Sequence, residues 1–219
     1  MALPLAGLTA IEVASTPAAA YTGKLLAELG ADVLLIEPPT GAPARHIASF
    51  TGVRFDIERN PVHLYLDAGK QSAVLDLTTT DGRVRLASLA SSAGIVLHGL
   101  QPTDAATLGL LPGDAGEPPA AVIVAVTPFG LDGPLADAPW TELTISAAAG
   151  YTALCGEAGQ RPLSHFAREA SYVGGSTALV AILAALAARE RDGHGAYVDV
   201  SLIEANNASL DAIAVGEYG

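Results

Sequence analysis

"LTAIEVASTPAAAYTGKLLAELGADVLLIEP", residues 8–38, decides how the rest of the chain is read. It opens with a short β-rich run, "LTAIEVA" (8–14). In "TPAAAYTGKLLAELGA" (16–31), Leu25, Leu26 and Leu29 share a helical stripe and Gly30 is a stop signal. "DVLLIEP" (32–38) is almost wholly apolar and closes on proline, the pattern of a strand covered on both faces. Strand, helix and strand within about 30 residues make a βαβ unit, whose crossover is right-handed as a rule.

The alternation continues downstream. "SAVLDL" (72–77), "GIVLHGL" (94–100) and "AAVIVAVTPFG" (120–130) read as further strands. "TTTDGRVRLASLAS" (78–91) reads as an amphipathic helix with threonines at its N-cap. "ELTISAAAGYTALCG" (142–156) reads as one helix of small residues, and "GAYVDVSLIEA" (195–205) as a strand leading into another helix. Residues 38–64 are irregular and too long for a plain connector, 112–119 form a Gly/Pro-rich linker, and 130–140 form a turn-rich loop. In "HFAREASYVGGSTALVAILAAL" (165–186) the pattern predicts a helix beginning near residue 173. Ser171 would cap it and Glu169 would be a surface charge beside Arg168. The apolar run Thr177–Ala188 is too short to span a bilayer and reads as a buried helix. The expected fold is α/β, a doubly wound, mostly parallel Rossmann-like sheet.

Composition narrows the function classes. Half of the 219 residues are hydrophobic and 16% are charged, which predicts a large core. The net charge is −12, and the 11 Lys and Arg form no basic cluster. That excludes nucleic acid and an anionic membrane surface as expected partners, since both need grouped cations. Cys155 is the only cysteine, so no internal disulfide can form. That single cysteine fits a reducing, cytoplasmic location, and "MALPLAGLTAIEV" lacks a basic n-region and reads as a first strand rather than a signal peptide.

Nucleotide motifs are weak. The first turn, "VASTPAAAYTGK", has alanines where a dinucleotide fingerprint needs glycines. Glu37, at the end of the second strand, falls where a ribose-binding carboxylate would lie, and its plainer reading is a solvent-exposed strand end. No P-loop pattern occurs. A nucleotide-binding Rossmann module of another kind stays open on these residues alone.

Five blocks together carry a family resemblance: "LAGLTAIEVA…AAAYTGKLLAELGADVLLIEPP", "GKQSAVLDLTTTDGR", "TLGL", "VTPFGLDGPLADAP" and "VAILAALAARERDGHGAYVDVSLIEA". In this order they resemble the class III CoA-transferases, the superfamily of formyl-CoA and carnitine CoA-transferases and α-methylacyl-CoA racemases. The resemblance implies a Rossmann-type fold, an interlocked dimer of ring-like chains and a CoA thioester as substrate, with no permanently bound cofactor. It implies that the chain is the N-terminal half of such a protein. Residues 1–200 would be the large domain, and 201–219 the start of a connecting helix toward a smaller domain. The partners implied are acyl-CoA or CoA and a second chain, identical or different.

The resemblance also implies where chemistry should fall. In the transferases an aspartate four residues before the matching glycine attacks the thioester and forms an acyl-enzyme anhydride. Counted back from Gly175, that position is Ser171. A serine would need a base, and His165 is near in sequence. Glu169 is the nearest carboxylate and could substitute if the segment slipped by two residues. In the racemases a histidine in the loop after "GP" moves the α-proton. That position here is Thr141, followed by Glu142 where an aspartate is common, so the racemase reading is weaker. Toward CoA, the resemblance points to the turn at Thr16 and Pro17 and to Lys70. Arginines expected elsewhere are replaced by Pro38, Gln101 and Thr107. No metal ligand set is expected. The readings are a CoA-transferase with Ser171 in place of the catalytic aspartate, and so a possible pseudoenzyme. The alternative is a non-catalytic half of a larger assembly.

Overall fold

The computed structural model describes residues 3–47, 56–114, 119–157, 159–164 and 167–210. In chain order, β1 (Thr9–Val13), α1 (Pro17–Glu28) and β2 (Asp32–Glu37) are followed by the short helices α2 (Pro43–His46) and α3 (Pro61–Leu66). Next come β3 (Gln71–Val74), α4 (Thr80–Ser92), β4 (Ile95–His98), α5 (Pro102–Thr107) and β5 (Val122–Thr127). Helices α6 (Glu142–Ala148), α7 (Tyr151–Leu154) and α8 (Glu169–Asp192) precede β6 (Tyr197–Ser201) and α9 (Leu202–Ala208).

Among the described residues, six strands lie in the order β3-β2-β1-β4-β5-β6. Every pairing is parallel, from Thr9 opposite Asp32 to Thr127 opposite Ser201. The sheet is thus wholly parallel, with the strand order of the doubly wound dinucleotide-binding folds.

Period-two alternation builds two cores, one on each face. Ala10, Val33, Ile95, Leu97, Val122, Val124 and Val126 face α1 and α8. Ile11, Val13, Ile36, Val96 and Ile123 face α4 and α5 through Leu86 and Ala105. The apolar runs read as doubly covered strands are covered because both sides of the pleat meet a helix.

Several elements differ from the sequence reading. β3 stops at Val74, since Asp76 starts a turn by accepting from the Thr78 amide at 3.0 Å. The stretch 142–156 is two helices, because Gly150 takes φ 97°, a left-handed conformation that breaks the ladder. α8 begins at Glu169, ahead of the glycine pair, and its N-cap position is Arg168. Ser171 therefore lies inside the first turn and is no N-cap.

The apolar run of α8 is not buried throughout. Ala178 and Ile182 are buried, whereas Val180 is 68% and Leu183 38% exposed. The run Thr177–Ala188 sits within a helix of 24 residues, which is long and apolar enough to cross a membrane by length and composition. Here it packs one stripe of small residues, Ala170, Gly174, Gly175 and Ala178, against its neighbours.

The glycine pair explains that close fit. A Cβ on Gly175 would stand 2.8 Å from the Ala18 carbonyl oxygen of α1, and one on Gly174 would collide with Leu202 of α9. Thr22 Oγ1 donates to the Ala18 and Gly175 carbonyls at 2.9 and 3.2 Å, tying α1 to α8. α9, in the segment expected to lead to another domain, packs on α8: Asn206 Nδ2 donates to the Ala170 carbonyl at 3.0 Å. Residues 211–219 lie outside the described residues.

Candidate active site

The strand order reverses between β1 and β4, and in open α/β sheets the crevice past the strand ends at that point is the usual ligand site. Thr16 and Pro17 sit there. Thr16 is the N-cap of α1, its Oγ1 accepting from the Ala19 amide at 3.2 Å, and Pro17 opens the helix. Ser15 Oγ accepts from the Gly99 amide at 2.6 Å and donates to the Val13 carbonyl at 3.0 Å. A Cβ at Gly99 would collide with Thr16. The two strand ends are thus pulled together, and the first turn of α1 opens onto the crevice.

Ser171 is fully buried, one helical turn before Gly175, which packs against Ala18 and Thr22 of α1. It meets Glu142. Glu142 accepts from the Ser171 amide at 3.2 Å and receives a short hydrogen bond from the Ser171 hydroxyl. A capping box fixes that carboxylate's origin: Thr141 Oγ1 accepts from the Thr144 amide at 3.1 Å, and Thr144 Oγ1 accepts from the Thr141 amide at 2.8 Å. Glu142 is therefore the first residue of α6, and its side chain reaches across to cap the first turn of α8. Burial pushes its carboxyl above the usual range, while the Ser171 hydroxyl and amide and the Arg168 charge pull the other way. Glu142 also borders a cavity of about 130 Å³, with Glu169 on its wall.

Thr141, at the racemase histidine position, is committed to the capping box. His165 lies outside the described residues. The loop carrying Thr141 is held from three sides. Leu131 N donates to Asp199 Oδ2 at 2.9 Å, Gly130 N to Thr127 Oγ1 at 3.1 Å, and Gln101 Nε2 to the Ala138 carbonyl at 3.1 Å. Gln101, read as a missing arginine, anchors this loop.

Lys70 turns inward. Its side chain is 1% exposed, and its Nζ lies 2.8 Å from Glu12 Oε2, 3.0 Å from Asp67 Oδ1 and 2.8 Å from the Ala20 carbonyl. The ammonium cannot reach a phosphate from this position. Glu37 is also occupied. Arg45 clamps it with Nε and Nη2 at 2.6 and 2.9 Å, and the Ala42 amide and Ser72 hydroxyl donate to it. These donors, Arg45 first, hold its carboxyl down at about 2. Glu37 is 2% exposed, so it is neither a solvent-exposed strand end nor free to bind a ribose.

The Glu142–Ser171 contact is what sequence reading missed. The Thr141–Thr144 spacing signals a helix start at Glu142, but nothing in the sequence says that this start meets residue 171, which is 29 positions away.

A wholly parallel sheet with its crevice at the β1/β4 reversal, and a carboxylate and hydroxyl paired at a helix mouth, define an α/β protein arranged for small-molecule chemistry. Residues 5–217 match CoA-transferase family III, and the chain belongs to that family. It is similar to the BbsE subunit of succinyl-CoA:(R)-benzylsuccinate CoA-transferase from Thauera aromatica, 34% identical over 195 residues, which cover 89% of this chain and 48% of that protein. It is also similar to the beta subunit of succinyl-CoA–L-malate CoA-transferase from Chloroflexus aurantiacus, at 29% identity, covering 99% of this chain and 53% of that one. A CaiB/BaiF family protein from Brucella suis superposes with a TM-score of 0.87 at 27% identity, over 99% of this chain and 57% of that chain. The chain spans about half the length of the curated relatives it matches.

Proposed function

We propose that this chain forms the acyl-transfer site of a CoA-transferase that moves CoA between an acyl-CoA thioester and a carboxylic acid. The observation that supports it most is the carboxylate–hydroxyl pair of Glu142 and Ser171. The family resemblance implies an acyl-transfer step at the position of Ser171, one helical turn before Gly175, which packs on Ala18 of α1. CoA would lie along the strand ends, over the turn at Thr16 and Pro17. Lys70 would contribute through the backbone of its loop, because its charge is neutralised inside the protein.

The remainder of a CoA-transferase would come from further sequence or from a second chain, identical or different. The subunit names of the relatives above favour a paired assembly. We place the protein in the cytoplasm, where the free thiol of released CoA stays reduced.

The test is calorimetric titration with free CoA and acetyl-CoA, followed by exchange of labelled CoA into the thioester in the presence of a carboxylic acid. Binding with exchange is the expected result. A folded protein that binds neither form of CoA overturns the reading. One observation favours a second reading, a non-catalytic half of an assembly: the residue at the nucleophile position is a serine. Binding without exchange would support that reading.

A further inference from the structure

Acyl transfer between CoA and an acid needs a group that is first a nucleophile and then a leaving group of modest basicity. Ser171 is a poor match, since a serine ester releases an alkoxide and is more stable than the thioester it must regenerate. A carboxylate does reach that point in space, however, from another element. Glu142 lies within hydrogen-bonding distance of both the hydroxyl and the amide of Ser171, on the wall of a cavity shared with Ser146, Ser164 and Glu169.

We propose that Glu142 is the catalytic carboxylate of this chain and that Ser171 is its positioning residue. The proposal rests on the CoA-transferase reading above. A Glu142 oxygen attacks the thioester carbonyl carbon, the C–S bond breaks, and CoA leaves as its thiolate, giving an acyl-glutamyl anhydride. The thiolate then attacks the glutamyl carbonyl, releasing the first acid as its carboxylate and leaving a glutamyl-CoA thioester. The acceptor carboxylate displaces CoA from it, forming a second anhydride. The thiolate attacks the acceptor's carbonyl, and Glu142 departs as a carboxylate. No oxidant, reductant or net proton is required.

The surroundings suit each departure. The Ser171 amide belongs to the first turn of a 24-residue helix, whose positive end favours a carboxylate there. The Ser171 hydroxyl supplies a second donor. Both are already aimed where charge returns to Glu142, which is the arrangement that stabilises developing charge most. Glu169 lines the same cavity but lies at the first position of α8, on the chain that Glu142 caps.

The experiment is to incubate the purified protein with acetyl-CoA, reduce with borohydride, and map the product by peptide mass spectrometry. Borohydride converts a glutamyl thioester to the alcohol. The expected result is a modified Glu142 in the wild type and in Glu169→Gln, and none in Glu142→Gln, which keeps an oxygen able to cap α8. Unchanged circular dichroism and CoA affinity in Glu142→Gln complete the expected pattern. Ser171→Ala should still modify Glu142, about ten-fold more slowly. The acid limb of its pH–rate profile should move to higher pH, because a donor that favours the ionised carboxylate is gone. Modification at Ser171 or Glu169, or exchange that survives in Glu142→Gln, overturns the proposal. A wild type that binds CoA without any modification overturns it alone, and a wild type that binds no CoA overturns the transferase reading as well.

Discussion

Three buried ionisable groups give the residue scale its clearest consequences. Burial raises the Glu12 carboxyl to about 7 against the pull of Lys70. Folded Glu12 thus holds a proton that the unfolded chain releases near 4.5, and its contribution falls as pH rises through that window. His98, buried at the end of β4, is pushed down to about 4 by desolvation. Its contribution is lost as pH falls from 6.5 toward 4, so it grows as pH rises. The two slopes oppose each other, and urea midpoints should vary little between about pH 5 and 6.5. Glu12→Gln should leave a stability that rises with pH, and His98→Leu one that falls, each by up to about 1.4 kcal/mol per pH unit. The Glu37–Arg45 clamp behaves differently. Glu37→Gln should lower unfolding free energy by about 1–3 kcal/mol in urea titration, because it leaves the largely buried guanidinium paired only with the exposed Glu58. The sequence showed Glu37 as a carboxylate at a strand end, but not its partner Arg45, which arrives through the irregular segment after β2.

At the scale of elements, the central strands and the start of α4 at Thr79 were legible, while the ends of α6 and α8 were not. β2 and β5 are largely apolar on both faces, so "VLLIE" and "VIVAVT" stand out without any partner in view. A helix end depends on one backbone torsion or one contact. Gly150 reads as one more small residue in an alanine-rich stretch until its positive φ is known. The sequence reading started the helix near residue 173, beside Gly174 and Gly175, yet here the pair lies well inside it. What keeps them there is contact, against Leu202 on one side and Ala18 on the other. Gly175→Leu should therefore unfold the protein at lower urea, by about 1–3 kcal/mol or more, since its neighbour is backbone and cannot move aside. Ser176→Leu, on the exposed face next door, should change stability by less than about 0.5 kcal/mol. The candidate site was half legible for the same reason. The position of Ser171 followed from the family blocks, while the carboxylate beside it depended on how α6 and α8 pack.

Taken whole, the chain carries a net charge of −12, and the ligand proposed for it is itself a polyanion. Among the described residues, Lys70 and Arg45 turn their charge inward, onto Asp67 and Glu37. Long-range repulsion should slow CoA capture, and screening should relieve it. Raising salt from about 10 to 150 mM should speed CoA association in stopped-flow, the reverse of what a basic CoA-binding surface would show. The back-to-back glycines of α8 carry a last consequence. Neighbouring helical residues point about 100° apart, so Gly174 and Gly175 seat the rod in two notches at once. Sliding it along its own screw by one residue would drive Val173 or Ser176 into one of the two notches. The helix works as a keyed shaft, and the key sits one turn from Ser171. The aim of the Ser171 hydroxyl at Glu142 is therefore set by two missing methyl groups on the far side of that turn.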